Sequence, residues 1–427
     1  MKNYRIETRC VQSGYQPKDG EPRILPIIQS TTFKYDSAET MGKLFDLETD
    51  GPFYTRLGNP TLSAVESKIA ELEGGAAALL TSSGQAAVFF SIINICRAGD
   101  HIISSASIYG GTFNLFSKTL RDMGISCSFV DPNASAEEIS DVFRPETRLL
   151  FAETLSNPTL VVLDIEKFAT IAHEHHVPLI IDNTFPTPVN CRPIEFGADI
   201  VVHSTTKYMD GHATSLGGAI VDSGKFDWTS GSYPELTEPD PSYHGIVYTQ
   251  QFGQQAYIVK ARTHLLRDLG ATASPFNAFL LNLGLETLSL RMERHCRNAE
   301  AVAAYLASDD RISWVNYPSL PDSPYADRVR RYLPSGSCGV ISFGVKGGRA
   351  TATHFMESLK LAAIVIHVAD ARTSVLHPAS TTHRQLSDDA LSAAGITPDM
   401  IRLSVGIEHV DDILNDVKQA LDACSKG

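Results

Sequence analysis

The sequence contains no apolar run of the roughly 18 residues that a membrane-spanning helix requires. Its first residues, MKNYR, also lack the apolar segment of a secretory signal. The seven cysteines are odd in number and scattered, with no C-x-x-C pair, which argues against a disulfide framework and a zinc ribbon. These absences predict a cytoplasmic protein with no membrane span and no metal site.

Further absences exclude several classes of function. The net charge is −13, from 36 basic and 49 acidic residues, so we expect no nucleic-acid partner. No G-x-G-x-x-G follows the first predicted strand and no G-x-S-x-G occurs, which disfavours a dinucleotide-binding dehydrogenase and an α/β-hydrolase. The HEHH run at 173–176 lacks the H-E-x-x-H spacing, and we interpret it as a solvated helix end.

The pattern along the chain predicts an α/β fold with a mostly parallel sheet. Residues 1–60 carry prolines at 17, 22, 26, 52 and 60 and are expected to form an extended arm. Short apolar segments then alternate with stretches of helical spacing, as βαβ units do. The predicted strands are 77–80, 101–104, 126–130, 149–152, 178–181 and 199–202.

The chain is too long for one hydrophobic core, so we expect a second folding unit. A helical region begins near residue 273, and strand-like segments follow at 340–345 and 401–405. A closing helix is predicted over 411–421. The expected division is an arm over 1–60, a large domain over 61–270 and a smaller α+β domain over 271–427.

Three groups of polar residues follow the predicted strands, where ligands bind in open α/β sheets. Ser83-Gly84-Gln85 opens a predicted helix whose N-terminus suits a phosphate. Asp182 ends an apolar strand, where a carboxylate needs a cationic partner. Ser204, Thr206 and Lys207 follow the last strand and would point to one side if the segment stayed extended. Each group alone is also consistent with a helix cap, a loop cap or a surface lysine.

Together the three groups match the requirements of pyridoxal 5'-phosphate (PLP). A lysine amine forms the Schiff base, and a carboxylate keeps the pyridine nitrogen protonated. A helix N-terminus with hydroxyl groups holds the phosphate.

Several motifs, in order, resemble the Cys/Met metabolism family of PLP enzymes over nearly the whole chain. The segment HSTTKYMDG (203–211) is similar to the family's lysine motif. The other matching segments are YTRLGNPT (54–61), TSSGQAA (81–87), ASIYGGT (106–112), SNPTL (156–160), IDNTF (181–185) and IRLSVGIE (401–408). This resemblance implies the type I fold of PLP-dependent transferases.

The resemblance also implies a role for each matching position. Lys207 would carry the cofactor and move protons, Asp182 would pair with the pyridine nitrogen, and Tyr109 would stack on the ring. The remaining cofactor-binding positions are Ser83, Gly84, Gln85, Asn157, Ser204 and Thr206, with Tyr54 and Arg56 reaching the phosphate of a neighbouring subunit. Substrate binding falls to Arg402, Asn157 and Tyr54, and the guanidinium of Arg402 would grip the α-carboxylate.

Finer similarity points to the O-acetylhomoserine sulfhydrylases within this family. It lies in PELTEPDPSYHG (234–245), ASPFNAFLLNLGLETLSLRMERH (273–295) and HPASTTH (377–383). It implies a γ-replacement that makes L-homocysteine and acetate from O-acetyl-L-homoserine and sulfide in methionine biosynthesis. The expected assembly is a homotetramer built from dimers. Cystathionine γ-synthase or γ-lyase activity, or a non-catalytic homologue, remain the alternatives.

Two departures from the family pattern bear on the substrate pocket. Many sulfhydrylases resemble N-V-G-D-A-R where this chain has HVADAR (367–372). Because His367 and Ala369 differ from that pattern, the sequence does not determine the detailed shape of the carboxylate pocket. Methionine γ-lyases resemble Tyr-Gly-Cys where this chain has Tyr109-Gly110-Gly111. The missing thiol argues against methionine γ-lyase activity. The acyl group, the sulfur donor, regulation and the choice of dimer or tetramer also stay open.

Overall fold

The computed structural model describes residues 3–230, 232–381 and 395–424. The last two residues of the HPASTTH segment lie outside this range. Among the described residues, no helix combines the length and the apolar character that crossing a membrane demands.

A seven-stranded sheet forms the centre of the larger part of the chain. Its strands are β1 (Ala77–Thr81), β2 (His101–Ser105), β3 (Ser126–Val130), β4 (Thr147–Glu153), β5 (Leu179–Asp182), β6 (Ile200–His203) and β7 (Gly218–Asp222). Their order across the sheet is β1-β7-β6-β5-β4-β2-β3, and β7 pairs antiparallel with both neighbours while the other pairs are parallel. The six predicted strands are confirmed to within a residue or two, whereas β7 was not predicted.

A five-stranded sheet occupies the C-terminal part of the chain. Its strands are β8 (Ile312–Asn316), β9 (Val340–Val345), β10 (Ala363–Ile364), β11 (Ser374–Leu376) and β12 (Met400–Ser404). The order is β10-β11-β12-β9-β8, with β10 and β11 parallel and the remaining pairs antiparallel. The predicted strands 340–345 and 401–405 correspond to β9 and β12.

Helices surround both sheets. They are α1 (Ile6–Gln12), α2 (Ala38–Phe45), α3 (Pro60–Glu73), α4 (Gly84–Ile93), α5 (Gly110–Asn114), α6 (Leu120–Asp122), α7 (Ala136–Ser140), α8 (Ile165–Glu174), α9 (Thr187–Asn190), α10 (Pro234–Thr237), α11 (Tyr248–Phe252), α12 (Ala256–Lys260), α13 (Arg267–Leu269), α14 (Pro275–Glu286), α15 (Leu288–Ala307), α16 (Ala326–Tyr332), α17 (Gly348–Ser358) and α18 (Val410–Cys424). Single 3-10 turns lie at Pro193–Phe196, Pro241–Tyr243, Gly253–Gln255 and Pro378–Ser380, and π-helical turns at Leu115–Thr119 and Ala261–Leu266. Residues 3–59 form α1, α2 and irregular segments with several turns and bends.

Local sequence explains why α3 begins and ends where it does. The Asn59 side chain caps its N-terminus by accepting a hydrogen bond from the Thr61 N–H, and Pro60 occupies the first turn, where its missing N–H costs nothing. Gly74 ends the helix in a left-handed conformation, φ 80°, which glycine adopts readily. The end of α3 at this glycine leads the chain directly into β1.

Alternating residues of the larger sheet pack against helices on both faces. Ile103, Leu150 and Ile181 belong to one core, and their neighbours Ile102 and Ile180 belong to the core on the opposite face. Strands buried on both faces are apolar throughout, which is why they were visible in the sequence. A separate core lies between the five-stranded sheet and the helices α15, α17 and α18.

Candidate active site

A cavity of about 260 Å³ lies at the carboxyl ends of β1, β4, β5 and β6. It is lined by ten of the twelve residues predicted for the site, namely Ser83, Gly84, Gln85, Tyr109, Asn157, Asp182, Ser204, Thr206, Lys207 and Arg402. The parallel strands end at one edge of the sheet, so residues far apart in sequence meet there.

The first turn of α4 packs directly against Ser204. Ser83 caps this helix by accepting a hydrogen bond from the Ala86 N–H at 3.1 Å. A Cβ atom on Gly84 would lie only 2.6 Å from the Ser204 Cβ, so glycine is the residue that permits this approach. The N–H groups of a first helical turn have no acceptor within the helix, and they give this wall of the cavity the character of an anion site.

The segment after β6 turns instead of staying extended, so the predicted side-by-side geometry of Ser204 and Thr206 is wrong. Both residues nevertheless line the cavity. The Thr206 hydroxyl donates to the Gly217 carbonyl at 3.2 Å and accepts from the Gly217 N–H at 3.1 Å. Its proton is therefore engaged with the backbone, and Ser204 is the better placed hydroxyl for a phosphate.

Lys207 follows in the same turn and borders the cavity. Burial and the neighbouring charge of Arg402 lower the pKa of its amine to about 8, while Asp370 opposes that shift. A substantial fraction of the amine is thus neutral near neutral pH, as a nucleophile toward a carbonyl group must be.

Asp182 is the last residue of β5 and forms part of the cavity wall. Its carboxylate accepts a hydrogen bond from the Thr184 N–H at 2.9 Å. Burial raises the pKa of Asp182, and the hydrogen bonds from Thr184 and a charge on His203 oppose this shift. His203 in turn lies 2.6 Å from the buried carboxylate of Glu73. A cation placed against Asp182 would favour its ionised form further.

Glu153, the last residue of β4, also lines the cavity and was not predicted. It lies opposite Asp182 in the pairing of β4 with β5. It accepts a hydrogen bond from the Tyr109 N–H at 2.7 Å. The available signal was a carboxylate ending an apolar strand, the same signal that identified Asp182.

Thr184 and Arg402 complete the polar lining from two different sheets. The Thr184 hydroxyl accepts the Ser204 N–H at 2.9 Å and so joins the ends of β5 and β6. Arg402 reaches in from β12 and donates to the Asn157 Oδ1 at 3.3 Å and to the Ile366 carbonyl at 3.1 Å. Burial lowers the pKa of Arg402 to about 10, so it remains charged at neutral pH.

No carboxylate in the described part of the chain forms an ion pair with Arg402, and its two recorded partners are neutral oxygens. A buried guanidinium with this environment suits an anionic ligand, because an unpaired charge in the interior is costly. The α-carboxylate of an amino acid matches its planar fork.

The two departures in HVADAR lie next to this arginine. Ala369 adopts a left-handed conformation, φ 69°, so the backbone keeps a shape that glycine, the family residue, takes more easily. Among the residues that the structure describes, the buried His367 Nε2 has no hydrogen-bond partner, and it lies 3.8 Å from the Asp370 carboxylate. Burial and the charge of Lys207 lower the pKa of His367.

Tyr54 and Arg56 lie apart from this cavity. They line a different pocket of about 720 Å³ together with Phe45, Tyr243 and Arg267. Arg56 donates to the Arg267 carbonyl, and its guanidinium lies 5.1 Å from the centre of the Tyr54 ring. Within one chain, the structure does not bring these two residues to Lys207.

The HEHH run ends α8 and its four residues are exposed, as predicted. His173 lies 2.8 Å from Asp199, and His175 stacks on Phe143 with ring centres 4.0 Å apart. Among the described residues, no group of three or more His, Cys, Asp and Glu side chains is placed to hold a metal ion.

The donors around the cavity fit PLP. The close packing of Gly84 on Ser204 forms a cradle at a helix N-terminus for a phosphate. The carboxylate of Asp182 and the amine of Lys207 both border the cavity, where they would serve the pyridine nitrogen and the aldehyde of PLP. The buried, unpaired charge of Arg402 leaves a place for an amino-acid carboxylate.

Comparison with known proteins agrees with this chemistry. The family described as Cys/Met metabolism PLP-dependent enzyme matches residues 7–422. A homocysteine synthase from Schizosaccharomyces pombe is 45% identical and covers 99% of both chains. An O-acetyl-L-homoserine sulfhydrylase from Leptospira meyeri is 44% identical over 98% of this chain and 97% of its own.

A solved structure shows the same fold. It is a protein assigned as an O-acetylhomoserine (thiol)-lyase from Campylobacter jejuni, and it contains N'-pyridoxyl-lysine-5'-monophosphate. It is 37% identical and superposes with a TM-score of 0.95 over 98% of this chain and all of its own. The α/β fold is therefore that of a type I PLP enzyme, and the chain belongs to the Cys/Met metabolism family of PLP-dependent enzymes.

Proposed function

We propose that this enzyme converts O-acetyl-L-homoserine and sulfide to L-homocysteine and acetate. The observation that carries the proposal is the convergence of Lys207, Asp182 and Arg402 on one cavity at the sheet edge. The names of the homocysteine synthase and sulfhydrylase relatives support the choice of this reaction over others in the family. In the net change the Cγ–O bond to acetate breaks and a Cγ–S bond to sulfide forms.

The chain's own residues have distinct tasks in this reaction. When bound, PLP supplies an electron sink that makes the substrate Cα and Cβ protons acidic. Lys207 holds the cofactor and then moves these protons, as its lowered pKa allows. Asp182 keeps the pyridine nitrogen protonated, and Tyr109 covers the ring. Ser83, Gly84, Gln85 and Ser204 hold the phosphate, with Thr206 beside them.

Arg402 and Asn157 bind the substrate. The guanidinium of Arg402 donates two hydrogen bonds to the α-carboxylate, and its hydrogen bond to the Asn157 Oδ1 orients it. Binding at this end would hold the substrate in the cavity that Lys207 and the apolar side chains of Leu216 and Ile366 also line. Position and orientation of this kind supply much of an enzyme's rate advantage.

Initial rates test the choice of reaction. O-Acetyl- and O-succinyl-homoserine should each be offered with sulfide, cysteine and methanethiol. We expect the acetyl ester and sulfide to give the highest kcat/KM, and methionine to be cleaved poorly. A preference for cysteine over sulfide at equal concentration would reassign the enzyme as a cystathionine γ-synthase.

Borohydride reduction tests the placement of the cofactor. Reduction should fix the pyridoxyl group on one lysine, and peptide mapping should identify that lysine as Lys207. A label on any other lysine would contradict the proposed site.

We further propose that Tyr54 and Arg56 complete the cavity of a neighbouring subunit. Their position in the arm, away from the cavity of their own chain, supports this role. A symmetric dimer would complete two sites at once, and two dimers would form a tetramer. Arg56→Ala mixed with Lys207→Ala should regain activity in hybrid dimers. Hybrids that form without activity would show that the sites are not shared.

The domain division also remains a proposal, with an arm over 1–60, a large domain over 61–270 and a small domain over 271–427. The separate core of the five-stranded sheet supports the small domain, while residues 273–292 pack into the core of the larger sheet. Limited proteolysis should cut first near these boundaries.

A further inference from the structure

The end of β4 carries a second buried carboxyl group beside Asp182. Glu153 is only 7% exposed and lies in register with Asp182 across the β4–β5 pairing. The proposed reaction gives this residue no chemical step. A buried carboxyl group at this position is costly, which makes its contacts informative.

Those contacts involve a neighbouring loop of the cavity wall. The Glu153 carboxyl group accepts the Tyr109 N–H at 2.7 Å, and Tyr109 is the residue that precedes α5. The backbone N–H of Asn157, in the loop after β4, also favours the ionised form of this carboxyl group and so lowers its pKa. Glu153, the last residue of β4, therefore anchors the loop after β2.

The Tyr109 ring is only partly packed against the described residues. Tyr109 is 49% exposed, so packing alone does not fix its ring over the cavity. Its backbone anchor then decides where the ring lies. The position of Asn157 matters as well, because its side-chain oxygen accepts a hydrogen bond from the Arg402 guanidinium at 3.3 Å.

We propose that Glu153 is a positioning residue that holds Tyr109 over the cofactor and Asn157 beside the substrate. This inference rests on the proposed placement of the cofactor at Lys207. Glu153 works through its length and its acceptor oxygen, and its charge is not required.

The electrostatic surroundings agree with a neutral group. Burial and the charge of Asp182 raise the pKa of Glu153 well above its usual range, although the two N–H bonds oppose this. A protonated Glu153 leaves the pair with a single negative charge, which Asp182 can direct at the pyridine nitrogen. Glutamine has the same length and an acceptor oxygen, so it is a close substitute for the protonated acid.

Two variants separate length from charge. Glu153→Gln keeps the reach and removes the ability to ionise, whereas Glu153→Asp keeps an ionisable carboxyl group and shortens the side chain by one methylene. We expect Glu153→Gln to match the wild type within about threefold in PLP dissociation constant, since its hydrogen bonds persist. Glu153→Asp should weaken PLP about tenfold or more and reduce the visible circular dichroism of the bound cofactor, because the Tyr109 N–H loses its acceptor.

Asp222 provides the matched control. It is a buried strand-end carboxylate that accepts the Gly224 N–H at 2.8 Å, at the opposite edge of the same sheet. Asp222→Asn and Asp222→Glu should leave the visible circular dichroism unchanged, and far-ultraviolet spectra should show that all variants are folded.

Three results would overturn the role of Glu153. They are wild-type behaviour of Glu153→Asp, equal damage in both variants, or damage in Glu153→Gln alone, which would indicate a need for charge. Borohydride labelling of the wild type separates this failure from failure of the proposed site. A label on Lys207 with an unaffected Glu153→Asp variant rejects the positioning role alone.

Discussion

Replacing Gly84 by alanine tests whether the first turn of α4 holds the cofactor phosphate. The new Cβ would lie 2.6 Å from the Ser204 Cβ and 2.8 Å from its Cα. Neither atom moves with a side-chain rotation, so the backbone itself must yield. Since ordinary carbon–carbon contacts are about 3.5–4.0 Å, the start of α4 must shift by roughly 1 Å away from Ser204.

A shift of this size is large for a hydrogen bond, whose donor–acceptor distance spans only about 2.7–3.2 Å. Losing one charge-assisted hydrogen bond to the phosphate would cost about 1.5–3 kcal/mol. At 1.36 kcal/mol for each tenfold change, we expect Gly84→Ala to weaken PLP binding about tenfold to a hundredfold.

Absorbance titration measures this effect, and pyridoxal, which lacks the phosphate, isolates its cause. The Gly84→Ala variant should bind pyridoxal about as well as the wild type does. Gly42→Ala is the matched control, because no atom lies within 4 Å of a Cβ added at that helical glycine. PLP binding within about threefold of the wild type, or an equal loss for PLP and pyridoxal, would refute the phosphate cradle.

Four further changes test other parts of the site. Arg402→Ala should lower kcat/KM about 30-fold or more, mainly through KM, because a buried charge pair with the substrate carboxylate is lost; an unchanged KM would contradict this role. Asp182→Asn should keep PLP bound but lose most turnover, since the negative charge that stabilises the protonated pyridine nitrogen is gone; near-normal turnover would indicate that Asp182 only caps the following loop. Stopped-flow binding of PLP to the cofactor-free protein should quicken as pH rises through about 8, because the lowered pKa of Lys207 gives the neutral, reactive amine above that pH; a flat profile from pH 7 to 9 would argue against Lys207. Gly111→Cys should not create an efficient methionine lyase, because its Cβ would lie 2.5 Å from the Tyr109 ring and displace it; rapid methionine cleavage would show that the thiol alone suffices.

Much of the larger sheet could be predicted because its strands are buried on both faces. Such strands are continuously apolar and stand out between Gly, Pro, Asp and Ser. Their carboxyl ends meet at one edge of the sheet, so the sequence alone could assign Ser83, Asp182 and Lys207 to one site. The antiparallel strand β7 was missed, because its short GAIVD run (218–222) follows a turn with no helix before it.

Prediction from the sequence failed for the short turn after β6 and for contacts between backbone groups that are far apart in sequence. In the turn after β6, Thr206 hydrogen-bonds to the backbone of Gly217, and no periodic pattern in the sequence predicts such a turn. Glu153 could have been found, since it follows an apolar strand as Asp182 does. Its role was hidden because the partner N–H groups belong to the backbone of Tyr109 and Asn157, which carries no sequence signal.

Arg402 shows why the substrate end of the site needs the tertiary structure. It lies in β12, 245 residues from Asn157, and belongs to the sheet with the separate C-terminal core. Its strand pattern predicts only a buried position, where a guanidinium without a carboxylate partner would be unfavourable. The packing of the two sheets resolves this, because it places the charge at a cavity whose other wall ends in Asn157 and Lys207. The cofactor groups thus come from the larger sheet and the substrate charge comes from the smaller one. A carboxylate bound at Arg402 would supply a counter-charge that the described residues do not provide.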